Sequence, residues 1–183
     1  MAKFLRVLFV EDKDSDVELL IHELSRGGYT IEFMRVETAE DMRNALGKKE
    51  WDIIFSDNYM PRFNVMEALN VLQEIKLDIP FILVSGSIGE EKAVETLKAG
   101  VNDYILKDNL RRLIPAIERE LREAEERRAR KKAEESLYLT NQQLKEKIEE
   151  LQRLNKLMIG REDRILELKN EIAKLKAKME EKN

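Results

Sequence analysis

Asp52-Ile53-Ile54-Phe55-Ser56-Asp57-Asn58-Tyr59-Met60-Pro61 is a short apolar run that ends on a carboxylate. A run of this length, closed by a turn-forming proline, reads as a strand with both faces buried. The same design repeats on either side. Phe4–Val10, Ile31–Arg35, Asp52–Ser56, Phe81–Val84 and Asp103–Leu106 read as strands. Amphipathic stretches near Asp14–Arg26, Ala39–Lys48, Val65–Lys76, Glu90–Ala99 and from Asn109 onward read as helices. Gly27-Gly28, Gly47, Pro80 and Gly100 stand where a helix stops or the chain turns.

Strands that alternate with helices require right-handed crossovers, and these give a parallel sheet covered on both faces. The expected fold is α/β: a flavodoxin-like, doubly wound, five-stranded parallel sheet of order 2-1-3-4-5, with its last helix extended into a long coiled coil. Such sheets place ligands beyond the carboxyl ends of their strands, where the strand order reverses. Glu11 and Asp12 follow the first strand, Asp57 the third, Ser85 and Gly86 the fourth, and Lys107 the fifth. In that strand order the first and third strands are neighbours, so three carboxylates converge on the crevice.

Carboxylates so close repel one another unless a proton or a cation lies among them. An all-oxygen set with few protein donors suits Mg²⁺, which keeps several waters and accepts phosphate oxygens. Asp57 is then placed as a nucleophile toward phosphorus, with Lys107 as a fixed positive charge and the Ser85 hydroxyl available to a phosphoryl oxygen. Gly86 leaves the approach to phosphorus open.

From about Lys3 to Leu121 the sequence resembles a response-regulator receiver domain of two-component signalling. The likeness rests on four motifs in order: Glu11-Asp12, Phe55-Ser56-Asp57-Asn58-Tyr59-Met60-Pro61, Val84-Ser85-Gly86 and Tyr104-Ile105-Leu106-Lys107. The resemblance implies that Asp57 accepts phosphate from a histidine kinase or phosphotransfer protein. It also implies that Asp12 binds Mg²⁺ directly, that Glu11 binds it through water, and that the main-chain carbonyl of Tyr59 is a further ligand. Ser85 and Tyr104 would form the switch pair.

Two positions depart from the family pattern. Val65 stands where a glycine usually opens the third helix, so the turn there must close without a free φ. Asp108 replaces the proline that usually follows the lysine, and a cis bond before it would cost about 3–4 kcal/mol. Two other features have ordinary readings. His22, the sole histidine, lies among Leu19, Leu20, Ile21 and Leu24 and is expected on a helix surface. Gly86 and Gly89 do not have the spacing of a dinucleotide fingerprint.

The chain has 183 residues, with all glycine and proline except Gly160 before Leu121. The expected division is therefore a receiver over 1–121 and a helical extension over 122–183. In the extension Leu137, Leu144, Leu151, Met158, Ile165, Ile172 and Met179 recur every seventh position. A second apolar position accompanies them, at Ile148 early on and at Leu154, Leu168 and Leu175 later, so the register slips near Leu151–Leu154. One glycine in a helix costs only about 1 kcal/mol, so a continuous helix is expected at Gly160 rather than a hairpin. At about 1.5 Å per residue, an unbroken helix from Asn109 would be roughly 110 Å long. A homodimer through this helix would cover its apolar stripe.

Without cysteine there are no disulfides, thiolate metal sites or cysteine nucleophiles. Arg6 and Glu11 break any secretory h-region, and no apolar run reaches membrane-spanning length, so a cytoplasmic protein with no membrane partner is expected. A formal net charge of −4 gives no basic footprint for nucleic acid. The expected function is a two-component response regulator that labels and slowly unlabels itself and is otherwise no enzyme. The rivals are an Mg²⁺-dependent phosphatase with an aspartyl nucleophile, which would usually want an acid where Tyr59 stands, and a coiled-coil scaffold with a degenerate receiver.

Overall fold

The computed structural model describes residues 3–58, 60–86 and 90–180, and gives the backbone alone for 90–93, 157, 159, 162, 163, 173 and 175–180. Five strands and five helices alternate: β1 Lys3–Val10, α1 Asp14–Arg26, β2 Tyr29–Val36, α2 Ala39–Lys48, β3 Ile53–Ser56, α3 Val65–Ile75, β4 Phe81–Ser85, α4 Glu90–Ala99, β5 Asp103–Leu106 and α5 Leu113–Glu180. The sheet is five-stranded and parallel in the expected order, β2-β1-β3-β4-β5. By contact the chain divides into two compact units, Met1–Ala129 and Arg130–Asn183. The first unit reaches past Leu121, because Ala124 is fully buried and Arg127 pairs with Asp78 at 2.9 Å.

The near-continuous apolar strands follow from a sheet covered twice. Along β1, Leu5, Val7 and Phe9 join Ile53, Phe55, Val84 and Ile105 in one core, together with Val17, Leu20 and Leu24 of α1 and Leu113 and Ile117 of α5. Leu8 and Val10 point the other way, to Ile54 and Leu83 and to side chains of α2 and α3. Phe9 stacks on Phe55 with ring centroids 5.7 Å apart. Burying each such side chain contributes about 1.5–3 kcal/mol, so the two cores dominate the stability of this unit.

β1, β3 and β4 differ from the sequence reading by one residue at one end, and three other elements differ for a local reason. β2 is longer at both ends because it pairs with β1 along its whole length, from Lys3↔Tyr29 to Val10↔Val36. α3 stops at Ile75, since Lys76 takes a left-handed φ of 58°. The last helix does not begin at Asn109, where φ −135° and ψ 61° break the helical path; a 3₁₀ turn over Lys107–Arg112 precedes α5. Pro115 is therefore the third residue of α5, where no intrahelical N–H bond is lost.

The two departures from the family pattern are accommodated without strain. Asn64 caps α3: its side chain accepts from Glu67 N at 3.0 Å while the Glu67 carboxylate accepts from Asn64 N at 3.1 Å. This capping box closes the turn, and Val65 becomes a buried first helical residue. The Lys107-Asp108 peptide is trans.

In the second unit α5 runs on without a break through Gly160. That continuity is the expected one rather than the hairpin. Its described side chains are all exposed, including Leu144, Ile148, Leu151, Leu154, Ile165 and Ile172. The side chains of Leu175 and Met179, which belong to the expected seam, lie outside the described residues. Ion pairs one turn apart, such as Arg130–Glu134 and Arg164–Glu167, support the helix. Each contributes only about 0.3–0.5 kcal/mol. No helix among the described residues is long and apolar enough to cross a membrane.

Candidate functional site: an acidic pocket at the strand ends

The first, third and fifth strands deliver their following residues to one place. Backbone bonds carry the sheet one step further than the strands themselves: Glu11 N donates to Val36 O and Asp57 N to Val10 O, at 3.1 and 2.9 Å. Glu11, Asp12 and Asp57 each bring a carboxylate oxygen within 4.8 Å of the others. Glu11 is 4% exposed and Asp57 8%. Lys107, reached from β5, lies 3.3 Å from Asp57 Oδ1 and 3.2 Å from Glu11 Oε2.

A fourth carboxylate, not singled out from the sequence, has the shortest hold on that lysine. Asp16 Oδ2 in the first turn of α1 accepts from Lys107 Nζ at 2.6 Å. Burial works against the ammonium ion, but Asp16, Asp57 and Glu11 outweigh it and raise the Lys107 pKa, so the group is a cation at neutral pH. Burial pushes the Glu11 carboxyl above its usual range and Asp57 adds to that; the Lys13 N–H and Lys107 offset only part of it. Lys107 is thus shared by three acids, with Asp12 beside them, and acidic groups outnumber the lysine in the pocket.

The charge excess and the donor set fit a hard divalent cation. Asp12 Oδ1 is a buried carboxylate oxygen with no hydrogen-bond partner. An anionic oxygen left so is costly unless something else satisfies it. The ligand atoms that Glu11, Asp12 and Asp57 offer are all oxygens, the type Mg²⁺ prefers. Glu11 Oε1 is already taken by the N–H groups of Asp12 and Lys13, at 3.0 and 3.1 Å. Its other oxygen faces Lys107, which suits a less direct part in holding a cation. The Tyr59 carbonyl expected as a ligand lies outside the described residues.

Ser85 is buried at the end of β4, and the register Ser85↔Leu106 sets it beside the residue that precedes Lys107. Tyr104 pairs with Leu83 in the ladder, and its half-buried ring packs against the α2 and α3 side of the core. Ser56 donates to the Asp57 carbonyl at 2.9 Å and so fixes the turn that carries the carboxylate. His22 is exposed on α1 and belongs to no such cluster. Arg35, at the end of edge strand β2, was also not legible as a site residue. It donates to the main-chain carbonyls of both Glu11 and Asp12.

The unit that carries this pocket is similar to known proteins. A family model described as the response regulator receiver domain matches residues 7–118. The alkaline phosphatase synthesis transcriptional regulatory protein PhoP of Bacillus subtilis is 32% identical over 105 residues, covering 56% of this chain and 42% of its own length. Chemotaxis protein CheY1 of Helicobacter pylori is 26% identical over 108 residues, covering 56% of this chain and 85% of its own. The chain thus spans less than half of PhoP but most of CheY1. NtrX from Brucella abortus superposes with a TM-score of 0.62 at 24% identity, over 73% of this chain and 30% of that one. The Francisella response regulator 1452 receiver domain gives 0.55 at 21% identity, over 65% and 98%.

Proposed function

Because the chain belongs to the response regulator receiver family, we propose that Asp57 is its phosphoacceptor and that the phosphoryl group comes from a histidine kinase or phosphotransfer protein. The observation that carries this is the convergence of Asp57 with Lys107 at 3.3 Å and with Glu11 and Asp12 in one acidic cluster.

An Asp57 carboxylate oxygen attacks phosphorus in line with the leaving group. The new bond is the P–O bond of an acyl phosphate; the bond broken is the donor's P–N bond, whose electron pair stays on the histidine nitrogen. Lys107 offsets charge on the phosphoryl oxygens, and Asp12 with Asp57 would hold Mg²⁺, Glu11 standing behind them. Mg²⁺ held by these carboxylates would supply positive charge to the phosphoryl oxygens. Ser85 offers its hydroxyl to a phosphoryl oxygen, and Tyr104 takes up the space the hydroxyl leaves.

No water-activating acid is assigned in this reading, so the protein labels itself and loses the label slowly. The phosphorylated state acts through the tail, a homodimer helix whose apolar row at Leu144, Leu151, Ile165 and Ile172 needs a second copy to be buried. Treatment with acetyl phosphate and Mg²⁺ tests the chemistry by intact mass. One phosphoryl group is expected on wild type and none on Asp57→Ala. Equal labelling of the two would remove Asp57 from its role, and sustained release of phosphate from small phosphate esters would favour a phosphatase.

A further inference from the structure

Arg35 stands at the end of the edge strand, opposite Phe9 in the register, and its guanidinium reaches across the carboxyl end of β1. Nη1 donates to the carbonyl oxygens of Glu11 and Asp12 at 3.2 and 3.1 Å, and also to the Glu37 carboxylate. Nε lies 3.0 Å from Asp14 Oδ1, in the first turn of α1. One side chain therefore ties the backbone of two acidic pocket residues to the start of the helix that follows them. Ordinarily a capping side chain would fix such a loop into its helix. α1 has none: the residue at its N-cap is Lys13, with no side-chain bond.

We infer that Arg35 is a positioning residue for the cation site, holding Glu11 and Asp12 in ligating geometry through their main-chain carbonyls while touching neither carboxylate. The inference rests on the proposed reading of Glu11, Asp12 and Asp57 as a Mg²⁺ site. Nη1 alone meets the two carbonyls and Nε meets Asp14, so the planar fork joins the pocket backbone to the start of α1 through two nitrogens held in fixed relation. Lysine carries the same charge on a single nitrogen and cannot span both carbonyls and Asp14 together.

Charge and positioning predict opposite outcomes, so they can be separated. As a mere positive charge near the pocket, Arg35 repels Mg²⁺; its loss would tighten binding and its exchange for lysine would change nothing. As a clamp, its loss weakens binding in both variants. Outer-shell partners of this kind change metal affinity by about 10–100-fold.

The test is a MgCl₂ titration by calorimetry on the full chain, with wild type, Arg35→Lys and Arg35→Gln. Both variants are expected to bind Mg²⁺ at least about tenfold more weakly. The Mg²⁺ concentration that half-saturates acetyl phosphate labelling should rise by the same factor, and labelling should recover as Mg²⁺ is raised. A fold defect would lower labelling at every Mg²⁺ concentration. Arg35→Lys keeps the charge and the stem, so it carries the test should Arg35→Gln fold poorly. Wild-type affinity in Arg35→Lys, or tighter binding in Arg35→Gln, would overturn the clamp alone. Failure of wild type itself to bind Mg²⁺ would overturn the metal-site reading and the inference with it.

Discussion

Leu8 of β1 and Leu144 of α5 are the same residue in opposite circumstances: the first is wholly buried, the second 57% exposed. Both belong to regular apolar patterns. In β1 the pattern is near-continuous, and the two helical layers that cover it are encoded in the same hundred or so residues. In α5 it returns every seventh position, and among the described residues from Arg130 onward nothing from the unit itself lies over it. An apolar pattern thus specifies a fold when its cover is in the chain, and leaves an open stripe, covered by a second copy in the proposed reading, when it is not.

The largest expected effect sharpens this contrast. Phe55→Ala removes a ring stacked on Phe9 in a core fully closed to solvent, and should destabilise the receiver by about 3–5 kcal/mol. Leu144→Ala should leave receiver stability unchanged and weaken self-association instead. Trp51, the sole tryptophan, is buried in the receiver core, so urea unfolding followed by its fluorescence reads that unit alone. A shift of the Trp51 transition in Leu144→Ala would break the comparison.

Next in size is a loss of assembly. Light scattering should give twice the chain mass for the full protein and one chain mass for a protein truncated after Ala129. A full-length monomer at tens of micromolar would show that the tail's cover is some other chain.

Smaller effects probe the first unit. A Cβ on Gly27 would lie 2.3 Å from Ile114 Cδ1. Gly27→Ala must therefore displace the end of a side chain at the start of α5, at a cost of about 1 kcal/mol or somewhat more. Combination with Ile114→Ala should reduce the cost attributable to Gly27→Ala in a double-mutant cycle. Asn64→Ala removes the cap of α3 and should cost about 1 kcal/mol, seen in the same urea transition.

The smallest effect is one of pH. Burial would raise the Asp52 carboxyl, but three hydrogen bonds from Arg6 overcome that and hold it below its usual value. Its folded pKa is thus lower than its unfolded one. The stabilisation is present above about pH 4, the ordinary carboxylate value, and is lost as pH falls through the folded pKa. Asp52→Asn should flatten that acid limb of the stability profile and lower the plateau above it.

The strand ends were readable because the sheet puts them all on one side: Glu11, Asp12, Asp57, Ser85 and Lys107 each follow a run whose length the apolar residues mark. The partners of those groups were harder to read. Asp16 and Arg35 act through side-chain reach, one from a helix turn and one across an edge strand, and neither distance is written in a spacing. Gly27 was read as a helix stop, yet what excludes a side chain there is Ile114, far along the chain. Asn64 and Glu67 did carry a readable capping-box spacing, which resolves the turn that Val65 had put in question. The kink at Asn109 had no such signal, since asparagine occurs in helices and turns alike.

The assignment of Asp57 is tested most directly by locating the label. The full chain is treated with acetyl phosphate and Mg²⁺, the acyl phosphate is reduced with borohydride to homoserine, and peptides are mapped by mass spectrometry. Homoserine is expected at position 57 and nowhere else, and should be absent when Mg²⁺ is chelated. Homoserine at another aspartate, or none at all in a protein that binds Mg²⁺, would contradict the phosphoacceptor assignment.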